Sequence, residues 1–373
     1  MSESADAYAH LLDTLAEVGR RFAGEEWLIS DPADVAEALA VTLQHLATGL
    51  ETQFDEDPTR PSFRPIVTAW RKALGDNADA RYHDARVDPA GTYRVRGRLA
   101  GAVYVSFTIE AGAGDGSFPT ATLGVINDTD LAADDDGSFE LVVGGPQVAG
   151  PWLPLPDGAS RITVRHYWED ADTPWRPPVA DLGLVIDLVD GHDAVPSRPP
   201  APTDASTAAA IRRMATYVRS RTIDLIPRPG EGEPPPFVSR VPHEFPAPVP
   251  PGDHALAAAD AAYAMAPYLL GPDEALVMTV RWPECRCANV SLWNRQMQTL
   301  DYLRGTVSLN RAQTVADDDG TVRIVVAHRD PGVPNWLSTE GRPFGLVYWR
   351  FMLPEGPIAT PAAEVVQVDS LRA

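Results

Sequence analysis

Cysteine is almost absent: Cys285 and Cys287 are the only two in 373 residues, and they stand two apart. The pair is too close for an ordinary structural bridge and too few for a zinc site without other ligands, which excludes a disulfide framework. Two small buried thiols on one strand face are expected instead. Positive charge is scarce as well. With 31 Lys and Arg against 52 Asp and Glu, the formal charge is −21, so nucleic acid and anionic membrane surfaces are repelled at long range and are expected not to be partners. No stretch approaches the roughly 20 apolar residues of a membrane span. The start, MSESADAYAH, has neither the basic nor the apolar region of a signal peptide, and a cytoplasmic location is expected.

The familiar catalytic signatures are also missing. There is no Walker loop, no G-x-S-x-G elbow, no H-E-x-x-H and no H-x-H pair. The G-x-G rhythm of GAGDGSF at 112–118 precedes PTATLGVI rather than a helix, so a dinucleotide fingerprint is not expected. Eight histidines are scattered without metal-ligand spacing. No metal and no cofactor are expected.

What is present is a globular chain, 44 % apolar, of a length suited to about two domains. Residues 1–76 read as helical: Tyr8, Leu11, Leu12, Leu15, Val18 and Phe22 recur at helical spacing, and Pro32 opens a second helix after Asp31. SFRPIVTAWRKALGD supplies a third helix. These amphipathic helices need an apolar surface, and an adjacent sheet is the expected one. From Tyr93 the period becomes two, as in Val103, Val105, Phe107 and Ile109, the mark of a strand with one buried face. A first β-sandwich unit is expected over 77–190. A linker with two helices follows over 191–270. One helix is STAAAIRRMATYVRSRTIDLI; the other is alanine-rich, capped by Asp253 and ending near Gly271. Between them, PRPGEGEPPPFVSRVPHEFPAPVPPGD has too many prolines for helix or central strand and reads as an extended arm. The second β unit is expected over 271–373.

The two β units echo each other. VYVSF at 103–107 resembles ANVSL at 288–292, Asn127 falls opposite Asn310, ADDDG occurs twice, and GPWLPLPDG resembles PNWLSTEG. An internal duplication follows. The acidic triplets lack the D-x-D-x-D-G spacing of an EF-hand loop, and Asp-Gly before an alternating run is a hairpin signal.

The stretches CRCANVSLWNRQMQTLDY and SLNRAQTVADDDGTVRIVVAHRDPGVPNWLSTEGRPFGLVYWRFMLP resemble the domain-of-unknown-function family number 1214, often found beside its relative number 1254. NADARYHDARVDPAGTYRVRG is similar to the strand entry of the same group. The resemblance covers about residues 77–190 and 270–356. It implies jelly-roll-like sandwiches that form homo-oligomers, and no established reaction. The fold class expected is therefore mainly β with α: two tandem jelly-roll-like antiparallel β-sandwich units, with the N-terminal helices packed on them.

Duplication supplies a scaffold twice, whereas a site is needed once. The second copy is enriched in Trp, Asn, Arg and Gln where the first has plainer residues, and aromatic walls with a few amide and guanidinium groups suit a small oxygenated organic ligand. Strand parity puts Cys287, Asn289, Ser291 and Trp293 on one face, and ends the apolar row Val322, Ile324, Val326 with His328. The expected acid–base pair is His328 with Asp330 as its orienter. The expected ligand contacts are Asn289, Asn335 and Arg350, walled by Trp293 and Trp336. The competing expectation is a non-catalytic ligand-binding or self-assembling module.

Overall fold

The computed structural model describes residues 2–172, 182–190, 201–252 and 258–372. Three helices form where the caps predict. In α1 (Glu3–Phe22) the Ser2 hydroxyl accepts from the Ala5 N–H, α2 (Pro32–Gln53) follows Asp31 with Pro32 in its first position, and α3 (Asp204–Ser220) begins at a reciprocal Thr203–Ser206 capping box. Their apolar stripes meet mainly one another. Ala7 and Leu11 pack with Ala208, Ile211 and Met214, while Val18, Phe22 and Val41 pack with Val218. Polar ties fasten this bundle to both β units: Glu37 to Arg342 at 2.7 Å, Asp34 to Arg295 at 3.1 Å, and Arg221 to the Gly116 carbonyl at 3.0 Å.

Two expected helices are absent. Residues 62–76 hold only the short strand β1 (Arg64–Pro65) and turns. Tertiary bonds decide that segment: Arg71 donates to Thr48 and to the Pro65 carbonyl, and Lys72 donates to the Thr299 and Leu300 carbonyls. The alanine-rich stretch is likewise a strand, β10 (Ala261–Leu269), while Asp253 lies outside the described residues. Alternate residues of β10 serve two different cores, Ala262 and Ala264 on one side and Tyr263 and Met265 on the other. A strand presents its side chains in that way and a helix does not. The second unit thus begins at 261, ahead of the expected 271.

The first unit comprises β2 (Ala80–Arg86), β3 (Thr92–Arg98), β4 (Tyr104–Ala111), β5 (Ala121–Asn127), β6 (Ser138–Gly144), β7 (Trp152–Leu153), β8 (Ala159–Tyr167) and β9 (Val185–Asp190). The second comprises β10, β11 (Glu274–Val280), β12 (Cys287–Trp293), β13 (Ser308–Asn310), β14 (Val322–Ala327), β15 (Trp336–Ser338), β16 (Phe344–Met352) and β17 (Ala362–Gln367). In the first, β1-β2-β8-β4-β5 lies over β7-β6-β3-β9; in the second, β10-β16-β12-β13 lies over β15-β14-β11-β17. Apart from β1, adding eight to each strand of the first unit gives the second, including the one parallel pair of each, β6 with β7 and β14 with β15. Each unit is a sandwich with its own core, around Phe107, Leu141 and Ile162 in the first and around Leu276, Ile324 and Trp349 in the second.

Finer details repeat too. In both ADDDG turns the glycine has a positive φ, 77° and 82°, and donates to the aspartate three residues earlier at 2.8 Å. The first indole after each turn donates to the carbonyl at the end of the preceding strand: Trp152 to Gly144 at 3.1 Å, Trp336 to Ala327 at 3.2 Å. The arm behaves as its prolines suggest. It runs extended along β10, with the Met265 N–H on the Phe237 carbonyl at 2.7 Å and the Ser239 N–H on the Met265 carbonyl at 2.8 Å, and so seals an otherwise open sheet edge.

The two sandwiches then pack sheet against sheet. Tyr82, Tyr104 and Tyr167 of the first meet Tyr263, Trp293, Tyr348 and Met352 of the second in a third, aromatic core. This seam is where the candidate site lies.

Candidate functional site at the seam between the two sandwiches

Strand register sets up the site. In the second unit Arg350 of β16 sits between Asn289 of β12 and Tyr263 of β10. In the first unit the equivalent strands place Arg165 between Ser106 and Tyr82. Both sheets therefore present a guanidinium here, beside an amide in the second unit and a hydroxyl in the first.

Arg350 is only 4 % exposed. Its Nη2 donates to the Gly75 carbonyl at 3.2 Å, while Nε and Nη1 have no partner. The rings of Tyr348 and Tyr263 lie 5.0 and 5.8 Å from the guanidinium carbon, an attraction that partly offsets burial of the charge. Among the described residues no carboxylate forms an ion pair with it. Asn289, equally buried, donates through Nδ2 to Asn77 Oδ1 at 2.5 Å and Asp79 Oδ2 at 2.6 Å. Its Oδ1 is left without a donor. Asn310 donates to the other oxygen of Asp79 at 3.0 Å. Burial pushes the Asp79 carboxyl up to about 6, although the two amides and the Arg350 charge act the other way.

Trp293 lies in the same seam but does not line the hollow beside Arg350 and Asn289. Its ring stacks on Tyr348 at 4.2 Å and 20°, and its N–H donates to the Asp76 carbonyl at 3.2 Å. Arg350, Asn289, Asp79, Tyr167, Trp168 and Met352 line a small hollow, about 10 Å³ of which is wide enough for water. That core is space for about one water-sized group. Cys287 also lines it, and burial pushes its thiol well above the usual range; Cys285 is pushed up to about 11. Both thiols are free and neither is set up as a nucleophile. Among the described residues no cluster of His, Cys, Asp and Glu is arranged to hold a metal ion.

Of the expected site residues, Asn289 and Arg350 line this hollow, and Trp293 lies in the aromatic core of the seam without lining it. The other four are elsewhere. His328 follows β14, in the sheet on the far side of the second sandwich, where Nδ1 bonds Thr339 Oγ1 at 2.6 Å and Nε2 bonds the Leu270 carbonyl at 3.3 Å. With both nitrogens engaged it does not face the hollow as a base. Asp330 is exposed and accepts from the Gly332 N–H at 2.7 Å in its own turn. Asn335, with φ 57°, ties a turn by donating to the Val315 and Arg323 carbonyls. Trp336 packs on the outer face of the far sheet.

Sequence reading missed Asp79, Asn77 and the tyrosines of the first unit, because it looked for the site within one copy. Asn310 carried a signal, since it was already singled out as the counterpart of Asn127. Glu169 accepts from the Ala288 N–H at 3.0 Å and pairs with Arg311 at 2.7 Å, clasping the rim of the seam.

The fold and seam define a class: a duplicated double sandwich with an aromatic and polar layer between its halves. Residues 290–356, within the second unit, match a family described as "Protein of unknown function (DUF1214)", the family that the sequence resembled. An uncharacterised protein from Burkholderia cenocepacia shares the architecture from end to end, at 27 % identity over 98 % of each chain with a TM-score of 0.82. A protein from Vibrio parahaemolyticus, 11 % identical over 88 % of this chain and 98 % of its own, has a TM-score of 0.50 and is alike in fold alone. No curated protein matches the chain. Among the described residues no helix is long and apolar enough to cross a membrane.

Proposed function

We propose that this protein binds a small, partly apolar, oxygenated organic molecule in the seam hollow, in the cytoplasm. The observation that supports this best is the meeting, in one hollow, of unpartnered donors on Arg350 and an unpartnered acceptor on Asn289. Buried polar groups are rarely left in that condition unless something else completes them. The amide cannot simply turn over. Asp79, when ionised, only accepts, which holds the Asn289 NH₂ toward it and leaves Oδ1 facing a ligand hydroxyl or other donor. Tyr167, Trp168 and Met352 offer the apolar wall. Since the water-wide space is small, a ligand seats one polar group at the guanidinium and parts the rim to admit the rest. Any transformation is cofactor-independent acid–base chemistry with Asp79 as the proton-handling group, a role its raised pKa suits.

Native mass spectrometry of freshly purified protein, compared with a denatured sample, is expected to show a releasable small molecule that the Arg350→Met protein lacks. Bare protein in both, with no thermal shift from any small oxygenated compound, removes the reading.

The second reading is self-association. Leu39, Leu43 and Leu50 form an exposed stripe along α2. Such a patch on a soluble surface suits a second copy of the chain. Sedimentation of the wild type and of Leu43→Glu separates the cases: a dimer that the substitution dissolves supports it, and a concentration-independent monomer refutes it.

A further inference from the structure

We infer that the group seated on Arg350 is the carboxylate of a small monocarboxylic acid; this rests on the seam-hollow reading above and narrows it to one ligand class. The argument starts from charge. A guanidinium removed from water and given no counter-ion is strongly disfavoured, and Arg350 has tyrosine rings and one backbone carbonyl as its near neighbours, with no carboxylate in ion-pair range among the described residues. A neutral carbonyl would satisfy a free N–H but bring no charge to pair with the guanidinium directly. A carboxylate does both, with the strength of a charge-assisted bond.

Size and repulsion narrow the class further. The water-wide space holds about one oxygen, which suits an edge of a planar carboxylate better than a tetrahedral phosphate. Asp79 lines the same hollow, with both oxygens held by Asn289 and Asn310, and Asp76 is buried close by. One negative charge balances Arg350; a second would be repelled by these carboxyls. The remaining wall, Tyr167, Trp168 and Met352, takes the apolar remainder of the acid.

The test uses the full chain and three matched pairs, each acid with its isosteric amide: acetate and acetamide, isobutyrate and isobutyramide, benzoate and benzamide. Inorganic phosphate and chloride at equal ionic strength complete the set. Thermal shift and calorimetric titration are read in a buffer free of carboxylates. At least one acid is expected to stabilise the wild type saturably and to bind at least tenfold more tightly than its amide. Phosphate and chloride are expected to have no saturable effect, and Arg350→Met is expected to lose the response. The acid–amide comparison needs no variant, so it stands even if Arg350→Met does not fold. An amide that binds as well as its acid, phosphate that competes equally, or a folded Arg350→Met protein that still binds the acid overturns the carboxylate assignment while leaving the broader small-molecule reading in place. If neither acids nor amides bind, both fall.

Discussion

At one register position the two halves of this molecule are completed differently. The first sandwich has Ser106 beside Arg165 where the second has Asn289 beside Arg350, while strand order, parallel edge pair, acidic turn and indole bond are otherwise repeated. The first unit's guanidinium is satisfied within its own sheet: Arg165 donates to Thr108 Oγ1 at 2.7 Å and pairs with Glu110 at 3.6 Å. Two residues before Ser106, the Tyr104 hydroxyl donates to Asp260 at 2.6 Å and so fastens the second unit to the first. The Asn–Arg pair is left incomplete. The lesson is that one copy closes its guanidinium position from within, while the other presents donors and an acceptor that the protein itself does not satisfy.

Four experiments break or sharpen that contrast. The largest effect is expected from removing the polar pair of the second unit. Asn289→Leu with Arg350→Met should abolish ligand response in thermal-shift titrations, and retained binding would disconnect the pair from the site. Next, Tyr104→Phe removes a charge-assisted clasp and should cost about 1.5–3 kcal/mol in denaturant unfolding without changing ligand affinity.

The third concerns pH. Burial raises the Asp79 carboxyl from 3.8 to about 6, so the unfolded chain ionises first. The contribution of this group is fully favourable below its unfolded value and is lost as pH rises through about 6. Asp84, also raised to about 6 by burial although Arg161 opposes the rise, acts in the same direction. Unfolding free energy should therefore fall between pH 4 and 6.5, and Asp79→Asn should flatten part of that slope; an unchanged slope would show that Asp79 is not the group responsible. The smallest effect is expected from His328→Ala, which loses the Thr339 and Leu270 bonds. About 1 kcal/mol of stability and no ligand response should go with it.

The repeat made the architecture readable. ADDDG, VYVSF against ANVSL, and Asn127 against Asn310 are local signals, and each corresponds to the same element in both units. The helix start at Asp31 and Pro32 is local as well. What failed depended on contacts far along the chain. Residues 62–76 lost their helix to bonds with Thr48, Thr299 and Leu300, and the alanines of β10 are there to fit between two cores. The site was half legible for the same reason. Parity placed Asn289 and Trp293 on one face, whereas Asp79 and Tyr167 come from the other copy, more than 100 residues away. His328 attracted attention as a polar end to an apolar row, and the row turned out to face an ordinary sandwich core.

The central claim is that Arg350 is kept for a ligand at the expense of stability, and the unfolding free energy of Arg350→Met in carboxylate-free buffer tests it most directly. Replacing an unpaired buried charge by an apolar side chain of similar length should leave the protein as stable as the wild type or more stable, by about 1–4 kcal/mol. A loss of several kcal/mol would contradict the account and make Arg350 a structural strut of the seam.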